Sequence, residues 1–247
     1  MPTRPSDLIS SRENRWFRRF LDAARTHREE ILLEGPKQIA DALERGWSPL
    51  AFAIADGDAP SAAAPAFRFA PALIRELTDA RHPQGVLALF ERPGSSLEDA
   101  LAAARLVVVL DGVQDPGNVG AIIRTAAAFG ASAVLLTEGC ADPLAPKALR
   151  ASAGTALLLP VVDVARAGLA AEIERRSIRL YAAAADGDAQ RIELPAAIVF
   201  GSEGRGVSEE LLARSRAISI PISPSVESLN VAAAAAILIH AALRGQS

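Results

Sequence analysis

The chain has 247 residues, a formal net charge of −3 and a pI of about 5.7, and half of its residues are hydrophobic, enough for one large domain or two modest ones. Its single cysteine, Cys140, excludes an intrachain disulfide and a cysteine metal cluster, so we expect no metal and a reducing, cytoplasmic setting. The opening "MPTRPSDLISSRENRW" lacks the apolar core of a secretory signal, and the longest apolar helical run, "VAAAAAILIHAAL", falls short of the ~20 residues that cross a bilayer, so no membrane association is expected.

The weakly acidic average argues against a nucleic-acid partner, but the distribution of charge argues for one. Residues 1–28 carry Arg4, Arg12, Arg15, Arg18, Arg19, Arg25 and Arg28 against Asp7, Glu13 and Asp22. They read as a basic N-terminal extension with a polar, arginine-rich helix over 12–28. Such a segment supplies phosphate contacts that a whole-chain average conceals. Arg12, Arg15, Arg18, Arg19 and Arg28 are therefore candidate RNA contacts; the alternative is a charged helical face in water. "EEILLEG" (29–35) predicts a strand, and "PKQIADALERG" a helix that opens on Pro36 and closes on Gly46. "LAFAIA" is a strand, "DGDAPSAAAPA" a loop, "PALIRELTDA" a helix and "GVLALFE" a strand. Residues 29–93 thus form a small α/β domain.

Residues 94–105 start with linker composition and go on as a short helix or extended connector. From Leu106 to the end the pattern restarts more strongly, with no internal repeat. "RLVVVLDG" is a continuous apolar strand, of the kind buried on both faces of a parallel sheet. Further strands are expected at "SAVLLTE", "TALLLPVV", "IRLYAAAA", "AAIVFG" and "AISIPI". Helices fall between them at 116–129, 143–152, 165–176 and 208–214, and a last helix runs from Ser228 to Arg244. Fold class is α/β, with a parallel sheet in 106–247.

Loops at the ends of three of these strands could carry chemistry. In "LDGVQDPGNVGAIIRTAAAFG", Asp115 and Pro116 make a helix cap and first turn, and Arg124 lies among small residues that leave room for a close approach. The glycine spacing fits neither the dinucleotide fingerprint nor a Walker loop, and a plain surface arginine is the alternative. In "VFGSEGRGVSEELL", Gly201, Gly204 and Gly206 require unusual backbone angles or close backbone approach, with an inert turn as the alternative. In "ISIPISPSVESLNVAAAAAILIHAAL", Ser228 can cap the last helix and Asn230 falls in its first turn. If the three loops share the carboxyl edge of an open sheet, they lie where ligands bind such sheets.

Together these segments resemble the three motifs of the SpoU (TrmH-like) RNA 2′-O-ribose methyltransferases of the SPOUT superfamily. Asn118, Gly120 and Arg124 match the first motif. Gly201, Glu203 and Gly206 match the second, and Ile220, Pro221, Ser228, Leu229, Asn230 and Val231 the third. "ILLEGPKQIADAL" and "HPQGVLALFERP" also resemble the family's ribosomal-protein-like substrate-binding domain. Two positions depart from the pattern, Ile222 where methionine is common and Ala232 where serine is common.

The resemblance implies a deep trefoil knot in the C-terminal domain, a homodimer packed through it, and S-adenosylmethionine as cofactor. The implied cofactor contacts are Gly201, Ser202, Glu203, Gly206, Ile220, Ile222, Ser228 and Leu229. The implied catalytic set is Arg124, Asn118, Glu203 and Asn230, and the substrate is a ribose 2′-hydroxyl of structured RNA, most readily 23S rRNA. Guanidinium groups stay protonated in proteins, so Arg124 suits fixing the ribose or its 3′-phosphate and stabilising a developing alkoxide better than it suits a general base. Asn118 would position Arg124 or the nucleotide, and Glu203 would hold its loop or orient Arg124 or Asn230. The competing readings are a tRNA methyltransferase, a non-catalytic RNA-binding protein of the same fold, and a small-molecule enzyme on a doubly wound sheet.

Overall fold

The computed structural model describes residues 8–27, 29–55, 58–61, 64–78, 80, 83–92, 94–189 and 191–244. Arg28, one of the candidate RNA contacts, lies outside the described residues, as do His82 and Pro93. The chain divides into two compact units, Met1–Pro93 with Leu144–Pro146 and Gly94–Pro143 with Lys147–Ser247.

The first unit is a five-stranded sheet with helices. In chain order its elements are β1 (Leu8–Ile9), α1 (Arg15–Thr26), β2 (Glu30–Glu34), α2 (Pro36–Glu44), β3 (Pro49–Ile54), β4 (Ala66–Phe69), α3 (Pro71–Glu76) and β5 (Val86–Glu91). The sheet order is β1-β4-β3-β5-β2, with β5 antiparallel to both neighbours and the remaining pairs parallel. The arginine-rich segment keeps a charged face in water, with Arg15, Arg18, Arg19 and Arg25 exposed, but its other face joins the core of this unit. Phe17, Phe20 and Ala23 recur at helical spacing and are buried with Phe67, Phe69, Leu73 and Leu89 in one core cluster. The helix starts at Arg15 because the Asn14 side chain caps it, accepting from Trp16 N at 2.8 Å. β4 arises just past the expected loop, in residues assigned to no element, because Phe67 and Phe69 alternate inward within a run too short to stand out.

The second unit holds α4 (Leu97–Ala102), β6 (Leu106–Asp111), α5 (Pro116–Phe129), β7 (Ala133–Leu136), α6 (Pro146–Ala151), β8 (Val161–Asp163), α7 (Leu169–Arg175), β9 (Arg179–Ala183), β10 (Ala196–Gly201), α8 (Glu209–Leu212), β11 (Arg216–Ile218) and α9 (Val231–Arg244). All six strands are parallel, in the order β11-β9-β10-β6-β7-β8. Alternate residues Val107, Val109, Ala133, Leu135, Ala197 and Val199 pack with α4, α7 and α8. α5 and α9 pack on each other and reach β7 and β10. Of the short helix or extended connector expected after the linker-like start, the helix forms as α4, and Ala100 and Leu101 bury it in this core.

Two strands are shorter than their apolar runs suggest. "TALLLPVV" begins as a 3-10 turn, Thr155–Leu157, because Gly154 adopts a left-handed angle (φ 81°) and the Thr155 hydroxyl bonds back to Ser152 O at 2.8 Å. β11 stops at Ile218. Ser219 turns its hydroxyl to Gly187 O at 2.9 Å, and Pro221 has no N–H to extend a ladder. Among the described residues, no helix is long and apolar enough to cross a membrane, and no group of three or more His, Cys, Asp or Glu is placed to hold a metal ion.

Candidate functional site

Parallel pairing sets the three functional segments on one edge. β6 and β10 are central neighbours, with Gly201 paired to Asp111, and β11 ends with Ile218 paired to Ala183 at the end of β9. The loops after β6, β10 and β11 therefore leave the sheet at its carboxyl edge. The strand order reverses beside β6, the switch point where open α/β sheets bind ligands.

α5 begins at this edge. Asp115 caps it, accepting from Asn118 N at 3.0 Å, and its second oxygen meets Lys147 Nζ of α6 at 2.7 Å. Gly120 is required by proximity: a Cβ there would stand 2.3 Å from Ala148 O and 2.7 Å from the Ala151 Cβ. The loop after β10 is a narrow hairpin in which Ser202 and Gly206 exchange both backbone hydrogen bonds, at 3.1 and 2.9 Å. A Cβ on Gly201 would lie 1.9 Å from the Gly206 carbonyl carbon, and Gly206 has φ 68°. Both motif glycines are therefore dictated by backbone geometry.

The amides of the first and third segments join the hairpin's acid. Asn118 Nδ2 donates to Glu203 Oε1 at 2.6 Å, and Asn230 Nδ2 donates to Asn118 Oδ1 at 3.1 Å. Asn230 Oδ1 accepts from Ala232 N at 2.9 Å and Ala233 N at 3.3 Å. Asn230, rather than Ser228, is thus the cap of α9, because the helix starts at Val231, three residues later than its sequence suggests. Glu203 reaches Asn118 and not Arg124 or Asn230, and Asn118 holds Glu203 and Asn230 rather than Arg124.

Arg124 is exposed, two turns along α5, and makes no hydrogen bond or ion pair among the described residues. Residues 221–230 are all exposed, including the apolar Ile222 (38%), Val226 (49%) and Leu229 (37%). Ser228 lies in this loop, and Ile220 is half-buried just before it. Ile220 and Pro221 line a cavity of about 760 Å³ with Ile192, Leu194, Ile237 and Leu238; the other expected cofactor contacts do not line it.

The expected N-terminal RNA contacts are largely occupied. Arg12 pairs with Glu76 at 2.7 Å, Arg18 with Glu13, and Arg19 with Glu30. Arg15 and Arg19 lie over the Trp16 ring, at 5.8 and 5.3 Å from its centroid. An arginine count does not show that acids in β2, α3 and the helix's own approach meet these groups.

Sequence reasoning missed a buried tie beneath the site. Asp111, 3% exposed, ends β6. Its Oδ1 accepts from Thr137 Oγ1 at 2.8 Å and Arg166 Nε at 2.7 Å, and its Oδ2 accepts from Ser208 N at 2.7 Å. Burial pushes the Asp111 carboxyl up, but Ser208, Arg166 and Thr137 outweigh it and hold the group below the ordinary carboxylate value. The available signal was a lone carboxylate closing an otherwise unbroken apolar strand.

A parallel sheet whose carboxyl edge carries a backbone-tight glycine hairpin, a cross-linking amide chain and an exposed arginine defines an α/β protein with a candidate ligand site at the sheet's switch point. Residues 105–240 match the SpoU rRNA Methylase family, and the chain belongs to that family. It is similar to RlmP of Bacillus subtilis (strain 168), a 23S rRNA (guanosine(2553)-2′-O)-methyltransferase, at 38% identity over 169 residues that cover 66% of each chain. It is also similar to the 23S rRNA (adenosine(1067)-2′-O)-methyltransferase of Streptomyces azureus, at 41% identity over 141 residues, 54% of this chain and 52% of that one. The chain thus spans about half to two thirds of the length of these curated relatives. Among solved structures it is similar to the SpoU methyltransferase AviRb from Streptomyces viridochromogenes in complex with AdoMet. The TM-score is 0.86 at 27% identity, covering 95% of this chain and 98% of that one.

Proposed function

We propose that this chain transfers a methyl group from S-adenosylmethionine to a ribose 2′-hydroxyl of RNA, with 23S rRNA as the substrate. The observation that carries this reading is the amide chain Glu203–Asn118–Asn230, which joins three family motifs up to 112 residues apart. The residues present fit the cofactor. The hairpin packs backbone on backbone at Gly201, so the wall it offers is main chain, and Ile222 and Leu229 of the neighbouring loop present partly exposed apolar surface. Ser202, Glu203, Gly206, Ile220 and Ser228 complete the contacts. When bound, S-adenosylmethionine supplies a methyl group activated by its sulfonium.

This chain's own residues align and stabilise. Arg124, exposed and without a hydrogen-bond or ion-pair partner among the described residues, holds the ribose or its 3′-phosphate and stabilises the 2′-oxygen as its proton leaves. Asn118, Glu203 and Asn230 fix the hairpin and the start of α9 against the helix that carries Arg124. Among the expected N-terminal contacts, Arg15 is exposed and without a carboxylate partner among the described residues, which leaves it free to add an RNA phosphate contact. The relatives named above act on 23S rRNA, which supports that substrate.

The same reading includes a trefoil knot, a homodimer packed through it, and a cytoplasmic setting. The connection after β9 closes tightly on β11: Ala184 N donates to Ile218 O at 3.0 Å, Ala189 N to Ala217 O at 3.1 Å, and a Cβ on Gly187 would lie 2.4 Å from Ile218 backbone. This supports a threaded C-terminus. Exposed Val226 and Ile237 support a second copy as their cover, and light scattering that gave a monomer would remove the dimer.

Arg124→Ala tests the chemistry. Calorimetric titration should show unchanged S-adenosylmethionine affinity, while transfer of labelled methyl to 23S rRNA falls about 10²–10³-fold, the usual cost of losing one oxyanion donor. A full transfer rate would overturn the role of Arg124. Failure of the unaltered protein to bind S-adenosylmethionine would overturn the methyltransferase reading.

A further inference from the structure

Most arginines of the second unit are spoken for. Arg166, Arg175, Arg176, Arg179, Arg191 and Arg214 each meet a carboxylate, and Arg216 lies over the Tyr181 ring. Among the described side chains, Arg105, Arg124, Arg150 and Arg205 are exposed and meet no carboxylate. Arg105 precedes β6, at the amino edge of the sheet. The other three stand on segments that meet at the carboxyl edge, and α5 is their common support.

α6, which carries Arg150, lies along the first turns of α5. Lys147 Nζ meets Asp115 at 2.7 Å, and Ala148 and Ala151, either side of Arg150, press on Gly120. Gly120 is four residues before Arg124, one turn along the same helical face. The hairpin that carries Arg205 is fixed to α5 through Glu203 and Asn118 at 2.6 Å. The nearby acids are occupied: Asp115 by Lys147, and Glu203 by Asn118.

We infer that Arg150 and Arg205, flanking Arg124, hold the phosphodiester backbone of the RNA on either side of the target ribose. An unpaired guanidinium has no partner to give up when it meets a phosphate, whereas an arginine in an ion pair must first lose its own. Guanidinium forks suit phosphate oxygens, and contacts of this kind position a strand without reading its sequence. The inference rests on the RNA-modifying reading above and adds residues that the family motifs do not include.

The test is fluorescence anisotropy with a labelled 15-nucleotide oligouridylate, titrated over a series of salt concentrations. Each phosphate contact removed from a single strand lowers the log–log salt slope by about 0.7. Arg150→Ala and Arg205→Ala should each show that drop, and the double variant twice it. Arg150→Lys should keep the slope, and Arg105→Ala, with the same change of net charge at the opposite edge, should leave it unchanged. Wild-type slopes in Arg150→Ala and Arg205→Ala would overturn the inference, as would an equal drop in Arg105→Ala. S-adenosylmethionine titration of the same variants separates the two readings. Loss of cofactor binding in the unaltered protein counts against methyl transfer alone, and the slopes count for or against the clamp alone.

Discussion

Asp111→Asn probes how the carboxyl edge is held. The side chain is 2% exposed and receives three hydrogen bonds, from Arg166, Thr137 and the Ser208 amide. An asparagine keeps the shape and one acceptor, but it places an NH2 where a second acceptor is needed, opposite either Ser208 N–H or Arg166. A hydrogen bond to a charged group contributes about 1.5–3 kcal/mol, and a donor left unpaired costs about 1–3 kcal/mol. Arg166 is 30% exposed, so water recovers part of its loss, and about 2–3 kcal/mol of destabilisation is expected at pH 7. The pH dependence has a definite sign. The carboxyl is held below its ordinary value, so its contribution is complete above the unfolded pKa of ~3.9 and is lost as pH falls through the lower folded value. Urea unfolding followed by circular dichroism should give a constant gap between wild type and variant from pH 7 to 5, narrowing below pH ~4. A gap under 1 kcal/mol at neutral pH, or one that stays open in acid, would refute the role of this carboxylate.

Gly201→Ala should cost about 1–3 kcal/mol or more, because the new methyl meets the backbone of Gly206 and Val207, which cannot rotate aside. Calorimetry should show S-adenosylmethionine affinity down at least tenfold, and wild-type affinity would show that the hairpin is not a cofactor wall. Asn230→Ala should cost about 1 kcal/mol in thermal unfolding through loss of the α9 cap. Asn230→Asp keeps the cap but has no amide to donate to Asn118, so stability should hold while methyl transfer falls; full transfer would make the amide chain dispensable.

Legibility in the sequence followed the physics of each element. β6 and β10 were plain because strands buried on both faces are unbroken apolar runs. α5 was plain because Asp115, Pro116 and Gly130 mark both its ends. β1 and β4 were hidden because two- and four-residue strands carry too few residues for a period to show. The helix at α1 was legible but its role was not, since seven arginines masked the spacing of Phe17, Phe20 and Ala23. At the site, the glycines and the Asn118, Glu203 and Asn230 set could be picked out from their motifs. The bonds among them could not, because they depend on the pairing of β6 with β10 and on where α9 begins.

The direction of those bonds explains why two amides and one acid are used. A carboxylate at Glu203 only accepts, so Asn118 must turn its NH2 toward it. That leaves Asn118 Oδ1 facing Asn230, which must then donate, and this in turn leaves Asn230 Oδ1 for the free N–H groups at the start of α9. The chain therefore runs one way, from the acid of the hairpin to the amino end of the last helix, with both amide oxygens along it accepting and both amide nitrogens donating. An aspartate at 118 would face Glu203 with like charge, and an aspartate at 230 would cap the helix but release Asn118. Because the hairpin, α5 and the start of α9 are registered through this single chain, a ligand held by the hairpin and the 221–230 loop is set at a fixed place along the helix that carries Arg124. That registration is what aligning a methyl donor with a ribose oxygen requires.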